Sequence, residues 1–114
     1  MRKGWIAALA AFSGAALAQA TAPAGDAKRG EALFLANGCW ACHGSAGHGE
    51  VYGPALAPKV LPWPAVVAQV RHPRESMPPY AAQFLPDRDL ADIYAYLASV
   101  PAGKAAKDIP LLRD

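Results

Sequence analysis

Apolar residues along the chain gather in separated runs, and each run has a different period. Trp5 to Leu17 is apolar throughout except for Ser13 and Gly14; Arg2 and Lys3 precede it and Ala18-Gln19-Ala20 follows. A positive start, a short apolar run and a small-residue site, in that order, make up a secretory signal peptide with cleavage after residue 20. The run is short for a membrane span, and an uncleaved anchor is the alternative reading. Downstream, Asp26 suits an N-cap, Leu33, Phe34 and Asn37 recur near helical spacing, and Asn37-Gly38 is a stop signal, which predicts a helix over 27–37. Gly30 falls inside this helix, where glycine costs about 1 kcal/mol against alanine, so it needs a packing reason.

Residues 44–50 hold three glycines and read as a loop, and Pro58, Pro62 and Pro64 break any helix over 57–64. Proline is tolerated at the start of a helix, so Pro64 can open a short one over 64–71, with Val66, Val67 and Val70 on one face. Leu90, Ile93, Tyr94 and Leu97 follow the i, i+3, i+4, i+7 pattern of a final helix. Asp87 and Asp89 suit the positive end of that helix, and Pro101 ends it. Thr21 to Gly25 reads as a flexible lead-in, residues 26–102 as one domain, and residues 103–114 as a tail. The helices so read make the expected fold class all-α, with three or more short helices.

Charge changes meaning once the leader is set aside. The whole chain has 11 Lys+Arg against 9 Asp+Glu, but removing Arg2 and Lys3 leaves nine of each on a mature chain of roughly 94 residues. A nucleic-acid partner calls for a basic patch or stripe, which this balanced sequence lacks. No phosphate-binding loop, zinc-ligand spacing or Ser/His/Asp arrangement is present, and the scattered carboxylates form no acid/base pair.

The chemistry is concentrated in Cys39-Trp40-Ala41-Cys42-His43, which contains both cysteines of the chain. C-x-x-C-H is the pattern of covalent c-type haem attachment: each thiol can form one thioether to the porphyrin, and the adjoining imidazole can ligate the iron. Residue frequencies give a chance match on the order of one in a thousand. A redox dithiol would call for a βαβ setting that the flanking sequence does not offer. A disulfide between such close cysteines would tie down little chain.

With this motif the sequence resembles the small monohaem class I c-type cytochromes of the bacterial periplasm, and the likeness extends over most of the chain after about residue 26. The resemblance implies a cytochrome c-like fold around one covalent haem c, with the first and last helices crossing where Gly30 and Phe34 meet Ile93 and Tyr96. It implies His43 and Met77 as the iron ligands. Met77, the only methionine after the leader, stands on a proline-braced stretch, Met77-Pro78-Pro79-Tyr80; a core-filling methionine is the alternative, and His72 is the runner-up ligand. His48, in the glycine-rich loop, is expected to be exposed.

Gly53-Pro54-Ala55-Leu56 resembles the family's G-P-x-L segment. There the carbonyl of Pro54 would accept from the second ring nitrogen of His43, a contact that fixes a ligating imidazole's tautomer and angle; an ordinary turn proline is the alternative. Trp63, Arg71 and Arg74 are candidates for contact with the haem propionates, against a rim tryptophan and two solvated charges. The family often has Ser or Thr where this chain has Pro86, so the exact start of the last helix is open.

Three consequences follow from the resemblance. Haem attachment outside the cytoplasm fits the leader, giving a periplasmic protein that does not insert in the membrane after cleavage. So short a chain buries little on its own, so the porphyrin would supply much of the apolar centre and the apoprotein would fold poorly. The function implied is one-electron transfer to redox protein partners such as a dehydrogenase, an oxidase or another cytochrome, as a free shuttle or a subunit, and not catalysis. The competing function is a haem enzyme or small-gas sensor with an open or exchangeable sixth iron position.

Overall fold

Asp26 starts the first helix as its side chain suggests: its carboxylate accepts from the backbone N–H of Arg29 at 2.9 Å. In the computed structural model, which describes residues 21–112, this helix, α1, runs Ala27–Ala36. Asn37 closes it, with its backbone N–H reaching the carbonyl of Leu33 at 2.9 Å and its side-chain amide reaching the same oxygen at 2.8 Å. A short helix α2, Trp40–His43, follows almost at once. Helix α3 spans Trp63–Arg71 and α4 spans Asp87–Ser99. Among the described residues there are no strands, only an isolated bridge between Glu50 and Gly53. The chain is all-α, as expected. The segment read as a leader lies outside the described residues, and the tail forms two single 3₁₀ turns, Ala106–Asp108 and Pro110–Leu112.

Helix starts differ slightly from expectation. α3 opens at Trp63, so Pro64 takes its second position, where a missing N–H is still harmless. Pro86 stands at the N-cap of α4 without any side-chain cap bond, and the helix begins directly after it with Asp87 and Asp89 in its first turn. The backbone dipole and these carboxylates stand in for the hydroxyl cap that the resemblance leads one to expect.

The core forms where α1 crosses α4. Phe34 is fully buried and its ring lies 5.6 Å from that of Tyr96 at a tilt of 56°, a favourable arrangement for two aromatic quadrupoles. Ala57, Leu85, Leu90, Ile93, Leu97 and Val100 complete the cluster. A Cβ on Gly30 would land on the carbonyl of Asp92 and 2.9 Å from the amide of Ile93. The two backbones touch at this point, and that contact is the packing reason the interior glycine requires.

Asp92, which the periodicity does not single out, closes the crossing. It is buried, and its carboxylate accepts from the Asp26 backbone N–H at 2.7 Å and from the guanidinium of Arg29, which also pairs with Asp89 at 2.8 Å. The Asp26 N–H first, and Arg29 after it, hold the carboxyl of Asp92 below its ordinary range, against the opposing effect of burial. One side chain thus joins the cap of α1 to the middle of α4.

Candidate functional site

The C-x-x-C-H segment sits on α2, and one turn of backbone sets its geometry. The His43 N–H reaches the carbonyl of Cys39 at 3.1 Å, and the Gly44 N–H reaches Trp40 at 2.9 Å. Gly44, at φ 81°, then turns the chain out of the helix, a conformation that glycine adopts without a steric cost. Cys39 is half-buried and Cys42 exposed, and both thiols are free. Burial pushes the Cys39 thiol up, which keeps it in the neutral form.

The loop after α2 returns to cover His43. Gly49 donates to the His43 carbonyl at 2.8 Å, and Glu50 and Gly53 pair across a tight reversal. This brings the carbonyl oxygen of Pro54 to 2.7 Å from Nδ1 of His43, whose side chain is buried. With Nδ1 donating to that oxygen, the neutral ring presents Nε2 with its lone pair available, and Nε2 makes no hydrogen bond among the described residues. The approach depends on Gly53: a Cβ there would lie 2.6 Å from the Cys42 carbonyl and 2.9 Å from Nδ1 itself.

In the sequence Gly53 is legible only as the glycine of the G-P-x-L segment, with no role of its own, yet it fixes how close the acceptor comes. Gly53→Ala should push the Pro54 carbonyl off the ring. If His43 ligates a haem iron, as the resemblance implies, loss of that acceptor would make it less basic and cost more affinity for the ferric than for the ferrous ion. A tenfold preferential loss raises a one-electron potential by about 59 mV, so a rise of that order is expected in potentiometric titration with the haem still attached. An unchanged potential would show that the loop absorbs the methyl group.

The remaining candidates lie on α3 and the loop beyond it. Trp63 packs edge-on against Tyr94, with ring centroids 5.6 Å apart, and the Tyr94 hydroxyl donates to the Leu61 carbonyl at 3.0 Å. Arg71 places one terminal nitrogen 2.8 Å from the Tyr80 carbonyl and the other 2.5 Å from Asp87, so both are already engaged within the chain. Arg74 is exposed, and its backbone N–H and carbonyl are both bracketed by the Gln69 side chain at 3.4 Å. Met77 is half-buried, with Gln69 Nε2 3.8 Å from its sulfur. His72 is exposed at the end of α3, and His48 is exposed with Nε2 2.9 Å from the Pro101 carbonyl.

These residues fit a covalently held haem. The donor set is two free thiols three positions apart, an oriented imidazole and a thioether on a short loop. The apolar side chains fit as well: α3 carries Val66, Val67 and Val70 against the core yet buries no residue completely, and Leu56, Val60 and Tyr80 are likewise only partly covered. Apolar surface at these positions gains roughly 25 cal/mol per Å² when covered, so a porphyrin adds to the core as well as to the chemistry.

No curated protein matches the chain. Residues 25–97, from the cap of α1 to the last turns of α4, match the family described as cytochrome c oxidase, cbb3-type, subunit III. That span holds the whole α1–α4 crossing, the C-x-x-C-H helix and the Met77 loop, and the chain belongs to this family: it is a small c-type cytochrome, an electron-transfer protein that carries its haem covalently.

Proposed function

We propose that the protein is a one-electron carrier of the periplasm with a single haem c, bound through Cys39 and Cys42 and ligated by His43 and Met77. The observation that carries this reading is the 2.7 Å contact between His43 Nδ1 and the Pro54 carbonyl. An imidazole oriented in this way serves a metal on its other nitrogen and needs no freedom to move a proton. When bound, the haem supplies a reversible one-electron change at iron.

The chain's own residues keep that change free of atom movement. His43 is fixed by Pro54 and Gly53, and Met77 is followed by Pro78 and Pro79, whose rings lock φ and limit the arm's freedom to swing. A thioether favours the reduced ion and raises the potential. Trp63, Arg71 and Arg74 are the proposed propionate partners: Trp63 opens α3, Arg71 ends it with a further N–H on each terminal nitrogen beyond its contacts to Tyr80 and Asp87, and Arg74 is exposed just after it. Redox proteins are the proposed partners, met as a free shuttle or within a complex. The leader pattern of residues 1–20 supports export, and no helix among the described residues is long and apolar enough to cross a membrane.

Optical spectroscopy of the native holoprotein tests the reading. Oxidised protein should show the near-infrared thioether-to-iron band, and reduced protein should bind carbon monoxide poorly at neutral pH. Rapid, stoichiometric carbon monoxide binding would replace the carrier with the sensor or enzyme reading.

A further inference from the structure

Tyr80 is tied to the protein at three atoms, although nothing in its sequence surroundings marks it. Its N–H donates to the Val70 carbonyl at 2.9 Å, its carbonyl accepts from Arg71 at 2.8 Å, and its hydroxyl donates to the carbonyl of Asn37 at 2.8 Å. Asn37 caps α1 two positions before Cys39. Arg71 is itself well covered, with 13% of its side chain exposed, and its second terminal nitrogen holds Asp87 at the start of α4. A single residue therefore joins the last turn of α3, the end of α1 beside the haem motif and, through Arg71, the first turn of α4.

Between Tyr80 and Met77 stand only Pro78 and Pro79. Each proline locks its own φ, and each restricts the residue before it, so little freedom separates the anchored Tyr80 from the thioether. On the other side, Glu75 takes φ 62°, a left-handed turn conformation uncommon for a residue with a side chain, and Gln69 brackets Arg74. The stiffer attachment is the Tyr80 side.

We propose that Tyr80 and Arg71 are positioning residues for the sixth ligand: together they latch the Met77 arm to the segment that carries Cys39 and so keep the thioether on the iron. This inference rests on the reading of Met77 as a ligand. Iron capped by the arm takes up carbon monoxide in proportion to the time the arm spends released. A hydrogen bond present only in the latched arm sets that fraction, and its loss raises it about tenfold.

The test compares unmutated holoprotein with Tyr80→Phe, Arg71→Gln, Arg71→Lys and Met77→Ala. Heating is followed by the near-infrared band and, in parallel, by the far-ultraviolet helix signal, and carbon monoxide uptake is timed on the reduced proteins. Tyr80→Phe and Arg71→Gln should lose the band well below the temperature at which the helices melt, and should take up carbon monoxide about tenfold faster. Arg71→Lys, which keeps the charge facing Asp87, should fall between Arg71→Gln and the unmutated protein. Loss of band and helix signal together, with unchanged uptake rates, overturns the latch and leaves both residues as ordinary stabilising contacts. If Arg71→Gln fails to mature, Tyr80→Phe decides alone, since it removes one oxygen and adds no volume. A missing band in the unmutated protein overturns the ligand assignment of Met77 instead, and Met77→Ala supplies the spectrum of an iron without the thioether.

Discussion

Gly30→Leu is expected to destabilise the holoprotein by about 3 kcal/mol, the upper part of the range for added bulk in a packed core. The new Cβ falls on the carbonyl of Asp92, and the next nearest atoms are also backbone of α4, which cannot step aside by changing rotamer. The helices must separate. Separation stretches the bond from the Asp26 N–H to Asp92 and opens the contact between Phe34 and Tyr96. Gly30→Ala makes the sharper comparison, because in an isolated helix alanine is favoured over glycine by about 1 kcal/mol. At this crossing the sign reverses, and alanine too should lower the thermal and denaturant midpoints. A higher midpoint for Gly30→Ala would mean that the two backbones do not meet there in solution.

This crossing was legible in the sequence because it repeats. Leu90, Ile93 and Leu97 announce a face at helical spacing, and a glycine inside a helix announces a close neighbour before that neighbour is known. α2 is not announced, since four residues hold barely one turn and no period can be read from them. Asp92 is equally silent: a carboxylate on an apolar face carries no sign that its partners are Asp26 and Arg29, some sixty residues earlier. Gly25, read from composition as part of a flexible lead-in, runs against the backbone of Ala91, again a long-range approach.

The site divides along the same line. The proposed attachment and proximal ligand fall within five consecutive residues, so chemistry alone points to Cys39, Cys42 and His43. Pro54 needed the likeness to a family, since a proline's carbonyl acts through the path of the loop and any residue has a carbonyl. The roles of Gly53, Gln69 and Tyr80 arise from where the fold brings the loops, and their residue types fit many bland positions equally well. Arg71 is legible in part: its charge suggests a propionate partner, while the Tyr80 carbonyl and the Asp87 carboxylate that it also meets come from the fold.

Met77→Ala is expected to abolish the near-infrared band, lower the potential and open the iron to rapid carbon monoxide binding. Methionine ligation raises a haem potential, so losing it moves the potential down. Replacement from within the chain is restricted. Met77 is the only methionine among the described residues, and His48, on the loop that covers His43, is held at the Pro101 carbonyl. His72 is the remaining imidazole; it stands exposed at the end of α3, five positions before Met77, and Arg71 beside it is fastened to Tyr80 and Asp87. Capture of the iron by His72 is the outcome to be told apart from an open position. Each outcome therefore has a distinct spectrum. An open iron binds carbon monoxide fast; capture by His72 gives a low-spin, band-free spectrum with carbon monoxide still excluded. A variant that keeps both the band and the exclusion would remove Met77 from the coordination sphere.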